Sequence, residues 1–129
     1  MQFLVTLLLD ANKLEFTLPR RLDLVDFEVG VIRFAIPKTL KNPPSYLNLT
    51  SDLLTPQPGT LYPTLITVPY DEKCYYEPNV TYCPMLANNY FASISMSILD
   101  ENGKKVSFDS GLALIVLHFR PIKCNMFSY

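Results

Sequence analysis

Residues 91–98 read Phe91-Ala92-Ser93-Ile94-Ser95-Met96-Ser97-Ile98, and residues 112–119 read Leu112-Ala113-Leu114-Ile115-Val116-Leu117-His118-Phe119. In the first stretch the even positions are apolar, and serine takes three of the odd ones. A period of two marks a strand with one core face and one polar face. The second stretch is apolar on both faces. Such a strand is covered on both sides, either centrally in a sandwich or by a neighbouring subunit. Between the two lies Asp100-Glu101-Asn102-Gly103-Lys104. Asn102-Gly103 predicts a hairpin turn with positive φ at both central residues. Val106-Ser107-Phe108 is a short return, and Asp109-Ser110-Gly111 turns the chain again.

The rest of the chain reads the same way. Residues 2–9 form an apolar run that predicts a buried strand. Residues 13–18 alternate, with Leu14, Phe16 and Leu18 on one face and Lys13, Glu15 and Thr17 on the other. Residues 27–36 are rich in β-branched and aromatic side chains and stop at Pro37. Prolines punctuate 37–63, leaving Tyr46-Leu47-Asn48-Leu49-Thr50 as the best strand piece. Leu65-Ile66-Thr67-Val68 is a short strand stopped by Pro69. Residues 70–88 read as a long surface loop with one helical turn near Met85-Leu86-Ala87. Eleven Pro against four Gly argue against a helical bundle, since proline costs about 3 kcal/mol in a helix interior. The sum is about eight strands in one domain of 129 residues, which fits a two-sheet sandwich. With no Trp, the immunoglobulin hallmark is missing. The expected fold is therefore an all-β single jelly-roll sandwich over residues 1–120, with a tail over 121–129.

Composition narrows function. The chain is 49% hydrophobic and 18% charged, too apolar for intrinsic disorder. A net charge of -1 gives no positive field for a dedicated nucleic-acid binder. Pro19-Arg20-Arg21 and Lys38 to Lys41 read as solvated loop charge. No stretch is long enough to span a membrane, which needs about 20 apolar residues. Phe3 to Leu9 lacks the flanks of a signal peptide, so the sequons at Asn48 and Asn79 read as chance matches. Cys74, Cys83 and Cys124 read as reduced thiols, although a loop disulfide between Cys74 and Cys83 is open to the spacing. No zinc spacing, EF-hand pattern or phosphate-cradling glycine loop is present. His118, inside the most apolar strand, reads as structural. An enzyme using it with Cys74 or Cys83 is the least favoured reading, and neither cofactor nor metal is expected.

The tyrosines are the remaining signal. Tyr70, Tyr75, Tyr76 and Tyr82 crowd one segment, and tyrosine is enriched at protein interfaces. With them, Leu112, Leu114, Val116 and Phe119 of the apolar strand and Phe127 and Tyr129 of the tail are candidate subunit contacts. Asn102 and Gly103 are assigned to the hairpin.

The segment from Ser95 to Arg120 resembles the carboxy-terminal end of a minor capsid, penton-like single jelly-roll protein of Polinton/Maverick elements and adintoviruses. Asp100, Gly103, Phe108, Gly111, Leu117, His118, Phe119 and Arg120 carry the likeness. Phe16-Thr17-Leu18-Pro19, Phe27-Glu28-Val29-Gly30-Val31 and Ile36-Pro37 resemble a second block, with Phe27 where the family carries tryptophan. This chain is shorter in the middle and continues past Arg120. The resemblance implies a non-enzymatic virion subunit that self-assembles, as a pentamer, and packs against a major capsid protein. It implies production inside the host cell rather than secretion. The alternative is a virion decoration or receptor- and glycan-binding sandwich using the tyrosine segment.

Overall fold

A computed structural model describes residues 2–9, 15–23, 27–38, 42–54, 64–85, 90–106, 108 and 111–122. The strands are β1 (Phe3–Leu9), β2 (Glu15–Asp23), β3 (Phe27–Ala35), β4 (Tyr46–Ser51), β5 (Thr64–Pro69), β6 (Tyr75–Tyr76), β7 (Cys83–Pro84), β8 (Tyr90–Leu99) and β9 (Ala113–Pro121). The protein is all-β, with no helix among the described residues. None of it is therefore a helix long and apolar enough to cross a membrane.

Two antiparallel sheets form a sandwich. One runs β1-β9-β3-β6, with β7 also on β3, and the other runs β2-β8-β4-β5. The pairings nest: β1 lies on β9, β2 on β8, β3 on β6 and β7, and β4 on β5. β1 touches β2 at one side of the sandwich, and β3 touches β5 at the other. Each sheet thus ends in an edge strand on both sides.

Periodicity decides what each sheet buries. On β8, Ile94, Met96 and Ile98 are buried while Ser95 and Ser97 are half-buried, as the alternation requires. On β9, Ala113, Ile115, Leu117 and Phe119 face the core. They meet Leu7, Val29, Val31 and Phe34 from the same sheet and Leu47, Leu49, Ile94 and Met96 from the other. β3 reaches this core through an irregularity. Its register on β9 shifts between Val31 and Arg33. The extra residue turns the following side chains over, so Val29, Val31, Phe34 and Ile36 are all buried and Arg33 is exposed.

Several expectations change here. Pro19-Arg20-Arg21 lies within β2 rather than in a loop. Proline is tolerated there because β2 is an edge strand, and its register on β8 shifts between Thr17 and Leu22. Residues 70–88 are not simply a surface loop. They supply β6 and β7, and Cys74 and Tyr76 are buried. Met85 forms a bridge with Leu54 instead of a helical turn, and residues 86 and 87 lie outside the described ones.

The hairpin after β8 also differs. Only Gly103 has positive φ, at 78°. Gly103 N–H donates to the Asp100 carbonyl at 3.1 Å, and Asp100 Oδ1 accepts from the Asn102 and Lys104 N–H groups. The turn therefore centres on Glu101-Asn102, with Gly103 as the left-handed residue that follows it.

Phe119 is fully buried, and truncating a buried phenylalanine leaves a cavity. Phe119→Ala is expected to lower unfolding free energy by about 3–5 kcal/mol, read as a drop in the urea midpoint.

Candidate functional site

The outer face of the β1-β9-β3 sheet is the first surface of interest. Register places Leu8 beside Leu114, Thr6 beside Val116 and Leu4 beside His118. On the other flank of β9, Ala35, Arg33 and Gly30 stand beside the same three residues. Leu4 and Leu8 are 59% and 52% exposed, and Leu112, just before β9, is 53% exposed. Leu114 is half-buried. Leu8, Leu112 and Leu114 form an apolar patch at one end of this face that the described residues leave open to water, and Leu4 stands exposed at the other end beyond Thr6.

The polar end of this face is held together differently. β6 and β7 pair with opposite ends of β3, at Phe34–Ala35 and Glu28–Val29. The intervening 77–82 segment arches over the sheet. Its path needs Gly30, because a Cβ there would sit 2.6 Å from Val80 Cγ1 and 3.1 Å from the Tyr82 ring. Tyr82 Oη lies 2.5 Å from His118 Nδ1. His118 Nε2 lies 3.2 Å from Gln2 Oε1. With Gln2 accepting from Nε2–H, Nδ1 is left as the acceptor and the Tyr82 hydroxyl donates. Arg120 stacks on Tyr82, its guanidinium carbon 3.4 Å from the ring centroid. Arg120 Nε also donates to Glu28 Oε2 at 2.6 Å. A cation on an aromatic face contributes about 0.5–1 kcal/mol when exposed.

The second surface is an open cleft of about 350 Å³ where β5 and β6 meet. Val68, Pro69, Tyr70, Tyr75, Tyr76 and Pro78 form its walls, with Asp71 and Glu77 among its lining residues. Its shape comes from the turn over residues 71–74. Cys74 N–H donates to the Asp71 carbonyl, and Asp71 Oδ1 accepts from Lys73 N–H. Cys74 adopts φ 57°, a left-handed conformation that non-glycine residues rarely take. The Tyr76 hydroxyl lies against the Asp71 backbone, and its ring stacks on Phe34 with centroids 4.6 Å apart. Tyr75 is exposed.

The Tyr70 hydroxyl lies 3.7 Å from Cys74 Sγ. That bond, with burial behind it, pushes the Tyr70 phenol up to about 12. Burial also raises Tyr76 and the Cys83 thiol.

The structure separates residues that the sequence groups together. Tyr70, Tyr75 and Tyr76 line the cleft, whereas Tyr82 sits on the outer sheet face against His118. Tyr76 and Phe119 are buried in the core, and Val116 is buried on the outer face of β9. Leu112 and Leu114 keep accessible surface. Phe127 and Tyr129 lie outside the described residues.

Cys74 and Cys83 are both unbridged thiols. His118 meets neither, since its nitrogens face Tyr82 and Gln2. Among the described residues no group of His, Cys, Asp or Glu side chains is placed to hold a metal ion. Asn48 is tied by its amide to the Asp100 carbonyl and to the Thr67 hydroxyl, while Asn79 is exposed on the arch. Sequence reasoning missed Gln2, Glu28, Gly30 and Arg120 as one cluster. They come from three separate segments, and no local pattern joins them. No known protein family matches the sequence, and no curated protein matches it.

Two outcomes test this geometry. Gly30→Val should lift the 77–82 arch, seen as faster proteolysis within it and loss of the Tyr82–His118 contact by NMR. Second, an unfolded tyrosine ionises near 10 while folded Tyr70 resists to about 12. The unfolded state then loses its proton first, so stability is full below pH 10 and falls as pH rises across that window. Tyr70→Phe should flatten part of the alkaline fall in urea midpoint, with the raised Tyr76 supplying another part.

Proposed function

We propose that this chain is a single jelly-roll structural subunit of a virion, a penton-like minor capsid protein that self-assembles and packs against a major capsid shell. The exposed apolar patch of Leu8, Leu112 and Leu114 on the outer sheet face, with Leu4 exposed farther along the same face, carries the reading. Large apolar side chains aligned on one sheet face mark a surface that another chain covers. The nested strand order supports the jelly-roll assignment. Pairing β1 with β9, β2 with β8, β3 with β6 and β7, and β4 with β5 is the order expected when one antiparallel ribbon rolls into two interlocked Greek keys. The likeness of Ser95 to Arg120 to the Polinton and adintovirus proteins supplies the choice of a vertex subunit.

A decoration or glycan-binding role is the second reading, and the cleft with its exposed Tyr75 favours it.

Light scattering over a concentration series decides between them. Assembly predicts a mass rising toward five times 14.7 kDa. Leu4→Asp with Leu8→Asp should hold the protein at monomer mass without changing its circular dichroism, because both side chains are exposed. A strict monomer at every concentration, with no affinity for a shell protein, would sink the assembly reading.

A further inference from the structure

We infer that two copies of this chain join edge to edge through β1, the two strands running antiparallel about a two-fold axis at Thr6, so that the β1-β9-β3 sheets of both copies become one. The contact goes beyond the capsid reading and does not need it, since a sheet edge is a different surface from the sheet face.

The sheet edges among the described residues are not alike. β2 has Pro19 and charged residues in its sequence, and its register on β8 shifts. β5 ends in Pro69, and its register on β4 shifts as well. β6 and β7 are only two residues each. Proline, charge, irregularity and shortness are the devices that keep an edge strand from pairing with another chain. β1 uses none of them. It reads Phe3-Leu4-Val5-Thr6-Leu7-Leu8-Leu9, uncharged and without proline or glycine. Its register on β9 runs unbroken from Phe3 beside Phe119 to Leu9 beside Ala113. Among the described residues β9 is its one paired strand, which leaves the other main-chain edge of β1 able to pair.

The pattern of β1 selects a second copy of itself as the occupant. Side-chain face and the direction of the main-chain groups both alternate with a period of two. Two copies therefore pair outer row to outer row only where the partnered residue numbers have an even sum. An antiparallel pairing centred on Thr6 meets that rule and uses the whole strand. Leu4 then stands opposite Leu8 of the second copy, Val5 opposite Leu7, and Thr6 opposite Thr6. Leu4, Thr6 and Leu8 are exposed, whereas Val5 is half-buried and Leu7 buried, so like meets like on both faces. The exposed leucines of β1 become directly opposed cross-strand pairs, and Thr–Thr at the axis is itself a favourable pair. An uncharged strand also has no like charges to set against each other across its own axis.

Amide exchange tests the pairing. With rising protein concentration, the alternate amides of β1 that β9 leaves unpaired should slow by about tenfold or more, because they gain hydrogen-bond partners. Thr6→Lys sets like charges opposite each other at the axis and should abolish that slowing, with circular dichroism unchanged because Thr6 is exposed. Disulfides read the register. In chains with Cys83 and Cys124 replaced by serine, Leu4→Cys mixed with Leu8→Cys should link under mild oxidation. Leu4→Cys alone should not, since its two copies stand about 13 Å apart along the strands. Should Thr6→Lys fail to fold, the cysteine pair decides alone.

Edge amides that stay fast at every concentration would overturn the inference. So would edge amides already slow in the dilute monomer, which would mean that the chain covers its own edge. A Leu4→Cys chain that links to itself as readily as to Leu8→Cys would overturn the register. If these results come with a mass still rising toward the five-fold multiple, the capsid reading stands without the two-fold contact. A protein that shows the slowing and stops at twice 14.7 kDa upholds the contact and fails the five-fold ring.

Discussion

The seat of β9 between β1 and β3 is the constraint on which the other parts depend. From Leu114 to Phe119 both main-chain edges of this strand are paired, with β1 on one side and β3 on the other. A strand paired on both edges has no main-chain group left to hydrate, so its side chains are free to be apolar throughout. Its inner row then anchors the core, and its outer row fixes what the sheet presents to water. A slip of one residue would exchange the rows and put Phe119 and Leu117 in solvent. The irregularity at Ile32 follows from the same demand, since it lets β3 keep pace with β9 while burying Val31 and Phe34 together.

The outer face carries two unlike regions within one register. Toward Leu8 and Leu114 it is apolar and open. Toward His118 it is more polar and partly covered by the chain's own arch, with Leu4 exposed beside it. That cover exists because Gly30 leaves room for Val80 and Tyr82, and because Tyr82, His118, Gln2, Arg120 and Glu28 satisfy one another. The histidine in the most apolar strand is thus neither a core packing residue nor half of a thiol dyad. It is the point where β9 fastens a loop from the far edge of β3.

The two turns that begin with aspartate, at 71–74 and 100–103, use one device. In each, Asp Oδ1 accepts N–H groups inside the turn, and the fourth residue adopts positive φ. One ends in glycine and is visible as a turn from sequence. The other ends in Cys74, whose side chain is buried against Tyr70, so tertiary packing holds a conformation that its residue type disfavours. That turn sets Tyr70, Tyr75 and Tyr76 around the cleft.

By itself the sequence determined the all-β class and most long strands, because alternation in 91–98, the doubly apolar 112–119 and the run 27–36 are local patterns with a direct meaning. Proline stops at Pro37 and Pro69 marked strand ends for the same reason. It did not show β2 running through Pro19, because only its place at a sheet edge makes that proline acceptable. Nor did it show β6 and β7, which are two-residue pieces defined by a partner strand rather than by any period of their own. The sorting of candidate contacts was also beyond it: Tyr76 and Phe119 lie in the core, Val116 is buried on the outer face, and Leu112 is exposed. Burial depends on which strands lie on either side and which sheet lies opposite. Those neighbours are far apart in the chain, and only the tertiary structure brings them together.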